Sequence, residues 1–356
     1  MTTKRVKKVQ KKFEGLKLDG FLVTHLPNVS YLSGFSGSNG LCIITRDRKI
    51  FLTDFRYREQ SHQQVKGMEI GIAKDSLFEE LSRGKLFRGL RRVGIEGNYL
   101  PYSEYKRLKK VFPGVTFVPT ADVVESISAV KDEGEIESIK KAASISDKVF
   151  QKVLEIVRPD IRELEISAEI SFYHKSYGAE KDAFETIVAS GPRGALPHGI
   201  ASDRKIRKGD FVTLDFGCVY HGYCCDITRT VAVGKPAKKL REIYSIVHDT
   251  QMRAIEAAKS GMLAKDLDAV ARNSIARSGY GKYFGHSLGH GIGLQVHEPP
   301  RISWLSSYEL QAGNVITIEP GIYLPGIGGV RIEDDIVVTN GTCTVLNKAP
   351  KELLVL

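Results

Sequence analysis

Four acidic residues lie inside strand-like apolar segments, and this constrains the fold of the chain more than any other feature. Across residues 211–217, Val212, Leu214 and Phe216 alternate with Thr213, Asp215 and Gly217. That period of two predicts a strand with Asp215 on the face opposite the apolar layer. Asp226 belongs to the returning strand, and an even-length turn near Tyr220–Gly222 puts it on the face of Asp215, opposite or one diagonal away. A second strand pair repeats the pattern: Glu319 closes an apolar run from Val315, Glu333 follows Val330-Arg331-Ile332, and turn-forming Pro325–Gly329 lies between them. Carboxylates this close repel, so either one keeps a proton or a cation lies between them, and a cation is the simpler solution. The glycine-punctuated segment GHSLGHGIGLQVHE (285–298) supplies His286, His290 and His297, and its glycines let backbone approach a crowded site. Singly, each residue has an ordinary reading as a solvated strand acid or a loop histidine. Together, the order Asp, Asp, His, Glu, Glu predicts a metal site, because acids within apolar strands are costly unless their charge is compensated.

The 356 residues exceed one typical domain, and their 42% apolar content is enough for two cores. An α/β amino-terminal domain is expected over 1–125: a basic helix (4–16), a strand from Gly20 to Thr24, a Gly/Ser-rich loop from Ser33 to Gly40, and strands 41–45 and 50–53. The second domain, 126–356, opens with a long helix whose apolar positions Ile136, Ile139, Ala143, Val149, Val153 and Ile156 run towards Pro159. Its pattern reads as two similar halves. A helical stretch (134–178) precedes the strand pair 211–233, and another (236–281) precedes 314–338, without a sequence repeat.

Charge and cysteine usage exclude other classes. The net charge of +10 sits wholly in the amino-terminal part, where residues 1–125 hold 23 Lys+Arg against 13 Asp+Glu and the remainder holds 29 against 29. No nucleic-acid motif accompanies it, and lysines interleaved with Val6, Val9 and Phe13 read as the solvated side of an amphipathic helix. Five cysteines without CxxC spacing fit reduced thiols better than a disulfide framework or a zinc knuckle. No apolar run approaches the roughly 18 residues of a membrane span, and the basic start is not followed by a signal-peptide core. A cytoplasmic protein is expected, with neither membrane nor nucleic acid as partner.

With these residues in hand, the chain resembles the pita-bread metallopeptidases (peptidase family M24), which include methionine aminopeptidase, aminopeptidase P and prolidase. Asp215 in LDFG, Asp226 in CDITRT, His290 in LGHGIG, Glu319 in IEPG and Glu333 in VRIED match the five metal ligands. The strings TDFRY (53–57), IVASG (187–191) and LPHG (196–199) resemble the proline-directed branch and extend the likeness over the whole chain. The resemblance implies a creatinase/prolidase-type α/β amino-terminal domain and an α+β pita-bread catalytic domain with pseudo-twofold halves. It implies two divalent ions bridged by Asp226 and Glu333, with Asp215 completing one and His290 with Glu319 the other. Oxygen-rich ligation with one imidazole suits Mn²⁺, with Co²⁺ or Zn²⁺ able to substitute. It further implies attack by a bridging hydroxide, with Glu319 passing on a proton and no covalent intermediate. His198 and His297 match the histidines that hold the carbonyl and stabilise the oxyanion, and His286 matches a histidine of the proline-directed members.

Arg331 shares a strand face with Glu333 and is expected to fix carboxylates or substrate, and Tyr323 is a candidate for the same wall. The implied reaction is hydrolysis of an Xaa-Pro bond in dipeptides or short peptides. Arg301 in HEPPR (297–301) lies where small prolidases carry an arginine for the free carboxylate, which favours a dipeptidase; read as a surface residue, it leaves an Xaa-Pro aminopeptidase open. The family also implies a homodimer in which the amino-terminal domain narrows the active-site mouth, with Tyr31–Gly37 as the candidate loop. Metal-free relatives that bind nucleic acid or protein, and creatinase-like hydrolases, form rival classes, and the complete ligand set disfavours both.

Overall fold

The computed structural model describes residues 2–83 and 86–356. The chain divides into two compact units, Met1–Ser128 and Ala129–Leu356.

The first unit is built on a six-stranded mixed sheet in the spatial order Glu69–Ala73, Lys49–Asp54, Gly40–Thr45, Gly20–Val23, Arg92–Glu96, Thr116–Thr120. Gly20–Val23 runs antiparallel to Gly40–Thr45 and parallel to Arg92–Glu96, and Leu22, Ile43, Leu52 and Ile95 fill the core on it. The basic run folds as helices Thr2–Lys11 and Phe13–Leu16, with Val6, Val9 and Phe13 buried and Lys4, Lys7, Lys8 and Lys11 exposed. Its charge is therefore the solvated side of an amphipathic helix. The expected loop at Tyr31–Gly37 needs correction: Leu26–Ser33 is a helix with Pro27 in its first turn, ended by Gly34 at φ 81°. Tyr31, Leu32, Ser33 and Phe35 are all buried. The apolar pattern of Val29 and Leu32 carries the helix through Ser33, and the Gly/Ser-rich stretch 34–39 beyond it is the loop its composition suggested.

In the second unit, two long hairpins carry the acids. Phe211–Phe216 pairs with Ile227–Ala232, Thr228 standing opposite Asp215, and the pairing resumes beyond a break at Gly217 and Asp226 as Cys218–Tyr220 against Tyr223–Cys224. The turn is His221–Gly222, both at positive φ, which matches the right-handed strand twist. Val315–Ile318 pairs with Asp334–Val338, and beyond a break Gly321–Leu324 pairs with Gly328–Arg331. The two segments share one register, so Glu319 and Glu333 stand opposite each other within the break. Their amides turn to other partners there, Glu319 N donating to Leu288 O at 2.8 Å and Glu333 N to Thr228 O at 3.1 Å. Acids thus sit where each ladder opens.

Helices Glu133–Leu154 and Glu163–Ser176 belong to a core with Leu214 and Phe216, and Lys238–Ala257 and Ala264–Arg277 to a second core with Ile316 and Ile318. The two expected halves are present. The first long helix starts where it does because Asp132 accepts from Glu135 N at 3.1 Å and Glu135 accepts from Asp132 N at 2.8 Å, a reciprocal cap.

Arg229 ties the hairpins from behind. It is 1% exposed and donates to Asp334 Oδ1 at 2.7 Å, Glu333 O at 2.6 Å, Ala349 O at 2.8 Å and Pro350 O at 3.0 Å. Burial alone would raise the Asp334 carboxyl, but Arg229 and Lys351 hold it below the usual carboxylate range. Arg229→Met removes one partner of a buried ion pair and should cost about 3–5 kcal/mol. An unchanged urea midpoint for that variant would contradict this account.

Candidate metal centre

The breaks in the two hairpins face one cavity of about 750 Å³, lined by Asp215, Asp226, His290, Glu319 and Glu333 together with His198, His286, His297, Arg301, Tyr323 and Arg331. The structure therefore gathers every residue singled out for the site onto one cavity wall. Ligand atoms of Asp226, His290 and Glu333 lie within 4.8 Å of one another. His290 Nε2 is 3.9 Å from Asp226 Oδ2 and 3.5 Å from Glu319 Oε1.

Strand 289–291 enters this crowd only because position 289 is glycine: a Cβ there would stand 2.0 Å from Thr317 O. The His290 Nδ1 lies 3.1 Å from Gly291 O, a contact in which Nδ1–H donates and the Nε2 lone pair is left facing the acids. Burial, then the neighbouring His297, whose ring centroid lies 4.2 Å away, lower the His290 pKa to about 3, so its imidazole is neutral and fit to ligate.

The acids show the opposite effect. Burial and then Glu333 and Asp215 push the Asp226 carboxyl well up. Glu319 rises through burial and then Glu333, and Glu333 rises to about 8 through burial and then Asp215. Crowded like charges in a desolvated pocket demand protons or cations. The orphaned atoms favour cations. Among the described residues, Asp215 Oδ1, Asp226 Oδ1 and Glu333 Oε1 are buried without any hydrogen-bond partner, a costly state that divalent ions bound among them would relieve. The donor set fits divalent metal.

Several supporting residues escaped the sequence reading. Thr228 Oγ1 donates to Glu333 Oε2 at 2.6 Å and accepts from Arg331 Nε at 3.1 Å. Asp335 Oδ2 accepts from Asp226 N at 2.9 Å. The signal for Thr228 was present: it lies two residues after Asp226 and therefore on the same strand face. Asp335 carried none, since a run of three acids does not say which one turns inward.

Arg331 contacts Asp215 directly and donates to Tyr323 Oη at 2.9 Å and Pro197 O at 3.1 Å. Tyr323 Oη stands 2.9 Å from His286 Nε2, whose ring is anchored by Nδ1 at 2.8 Å from Ser287 O. Burial and then Arg331 lower the His286 pKa to about 4, so the neutral ring accepts the tyrosine proton. Arg301 is exposed on the wall and donates to Ser287 Oγ at 3.0 Å. His198 and His297 are exposed on the same cavity, and burial followed by His198 lowers the His297 pKa.

Residues 137–340 match the family model described as metallopeptidase family M24, and residues 5–130 match the creatinase/prolidase N-terminal domain. The chain belongs to metallopeptidase family M24. It is therefore a peptidase, of a family that implies divalent metal ions, with the pita-bread fold expected from its sequence. It is 43% identical over 352 residues to an Xaa-Pro dipeptidase of Pyrococcus horikoshii, with 98% of each chain covered. Its fold matches the structure of an Xaa-Pro dipeptidase from Bacillus anthracis with a TM-score of 0.97 at 44% identity, covering 100% of both chains. The X-Pro aminopeptidase from Thermotoga maritima matches with a TM-score of 0.92 at 38% identity, covering 99% of both.

Proposed function

We propose that the protein is an Xaa-Pro dipeptidase, cleaving the amide bond before a carboxy-terminal proline. The observation that carries this reading is Arg301: an exposed guanidinium on the wall of the acid- and histidine-lined cavity, able to bind a free carboxylate two-pronged. The similarity to enzymes named Xaa-Pro dipeptidase supports it.

In this reading Asp215, Asp226, His290, Glu319 and Glu333 would hold two divalent ions. Four carboxylates with one imidazole suit Mn²⁺. When bound, the ions supply Lewis acidity and activate water near neutral pH. Glu319, which faces His290 and His286, takes up a proton and passes it to the departing proline nitrogen. His297 and His198 donate N–H bonds to the oxygen on which charge develops. Arg331 positions Asp215 and Tyr323, and through Tyr323 fixes the ring of His286. A cytoplasmic homodimer is part of the proposal. Five free cysteines fit a reducing compartment, and no helix among the described residues is long and apolar enough to cross a membrane.

A second reading, Xaa-Pro aminopeptidase, is favoured by the likeness to the Thermotoga maritima enzyme of that name. Mn²⁺-loaded protein assayed on Leu-Pro and on a Leu-Pro-Xaa tripeptide separates the two. The dipeptidase cleaves Leu-Pro, and cleavage of the tripeptide alone would replace that reading with the second. Arg301→Met should lower kcat/KM for Leu-Pro by about tenfold or more, chiefly through KM, because a charged hydrogen bond to the bound carboxylate is lost.

A further inference from the structure

The cavity holds two acids outside the metal-ligand set, Glu185 and Glu298, and they are placed differently. Glu298 is neutralised by Lys131 at 2.5 Å. Glu185 is exposed to the cavity, and among the described residues its carboxylate has no hydrogen-bond or ion-pair partner. Of the cavity's guanidinium groups, Arg331 is held on Asp215, and Arg301, which donates through Nε to Ser287, is not paired with Glu185.

The paired residues on either side of Glu185 bracket its position. Ile187 lies directly opposite Asp215, and Ala183 N donates to Gly217 O at 2.9 Å, so 184–186 form an irregular link whose two ends both flank the strand bearing Asp215. On the other side of that strand lies the one preceded by Asp226. The same cavity carries an apolar lining of Phe184, Ile187, Ile200 and Val296. An apolar lining that also holds an exposed carboxylate matches a side chain with an aliphatic stem and a cationic head, which buries the stem and brings the charge to the acid.

We infer that Glu185 is a specificity determinant that favours lysine or arginine as the residue before proline. This rests on the Xaa-Pro reading and deepens it. Glu185 contacts neither the ligand acids nor the network of Arg331 in any hydrogen bond, so its effect falls on the choice of substrate rather than on the bond-breaking step.

The test is kcat/KM of the Mn²⁺-loaded enzyme on Lys-Pro, Leu-Pro and Glu-Pro, for the wild type, Glu185→Gln and Glu185→Lys. The ratio of Lys-Pro to Leu-Pro should fall by about three- to tenfold in Glu185→Gln, with Leu-Pro itself little changed. In Glu185→Lys the preference should move towards Glu-Pro, and added salt should weaken both preferences. Equal losses on Lys-Pro and Leu-Pro, or an unmoved ratio, overturn the inference while leaving the Xaa-Pro reading standing. A wild-type enzyme that cleaves none of the three dipeptides overturns both.

Discussion

Replacing Glu319 by glutamine should lower turnover of an Xaa-Pro dipeptide by about a thousandfold or more while leaving the protein folded. Glutamine keeps the size of the side chain and the backbone anchor from Glu319 N to Leu288 O at 2.8 Å. It loses the charge that faces His290 Nε2 at 3.5 Å and His286 Nδ1 at 4.0 Å, and with it both a ligand oxygen and the proton acceptor. In the metal-free protein the substitution also relieves repulsion from Glu333, which together with burial raises the Glu319 carboxyl. With both proteins metal-free, a melting temperature at or above that of the wild type, and with Mn²⁺ added an activity nearly abolished, are the expected pair of results. Activity within about tenfold of wild type would remove Glu319 from the chemistry.

Stripping divalent ions with a chelator should abolish hydrolysis, and Mn²⁺ should restore it. The stability of the stripped protein carries a second signature. Burial and Asp215 raise Glu333 from an ordinary 4.5 to about 8, so the folded state binds that proton more tightly than the unfolded chain. Its stabilising contribution is present in full below about pH 4.5 and is lost as pH rises through about 8. Asp226 and Glu319 move in the same direction. Bound cations take the place of those protons, so the gap in melting temperature between Mn²⁺-loaded and stripped protein should widen from pH 5.5 to pH 8.5. With Mn²⁺ about a thousandfold above its Kd, a gap on the order of 10 °C is expected at the upper pH. A gap that stays constant or narrows with rising pH would show that the acids do not exchange protons for metal.

Much of this site was visible before any coordinates. Alternation over 211–217 placed Asp215 on the polar face, and turn parity carried Asp226 to the same face; the observed register, Thr228 opposite Asp215, agrees with both. The segment Tyr31–Gly37 shows the limit of reading by composition, since glycine and serine suggested an open loop where apolar spacing builds a buried helix up to Ser33. Arg331 was read as a group that fixes carboxylates or substrate. Tyr323 was placed on the same wall, but the bonds from Arg331 to Tyr323 and to Pro197 could not be read, because nothing local distinguishes an arginine aimed across a cavity from one aimed at solvent.

By itself, the sequence determined the periodic acids, the glycine-spaced histidines, the two-half organisation and the family to which they belong. Local periodicity carries this information, since it states which face of a strand each side chain takes. Only the tertiary structure decided which faces meet. Thr228 reaches Glu333 across 105 positions, Asp226 meets Asp335 across 109, Arg229 holds Ala349 across 120, and Glu185 stays unpaired where Glu298 finds Lys131. Those pairings depend on how two independently formed hairpins pack, and a period of two residues contains no term for the distance between them.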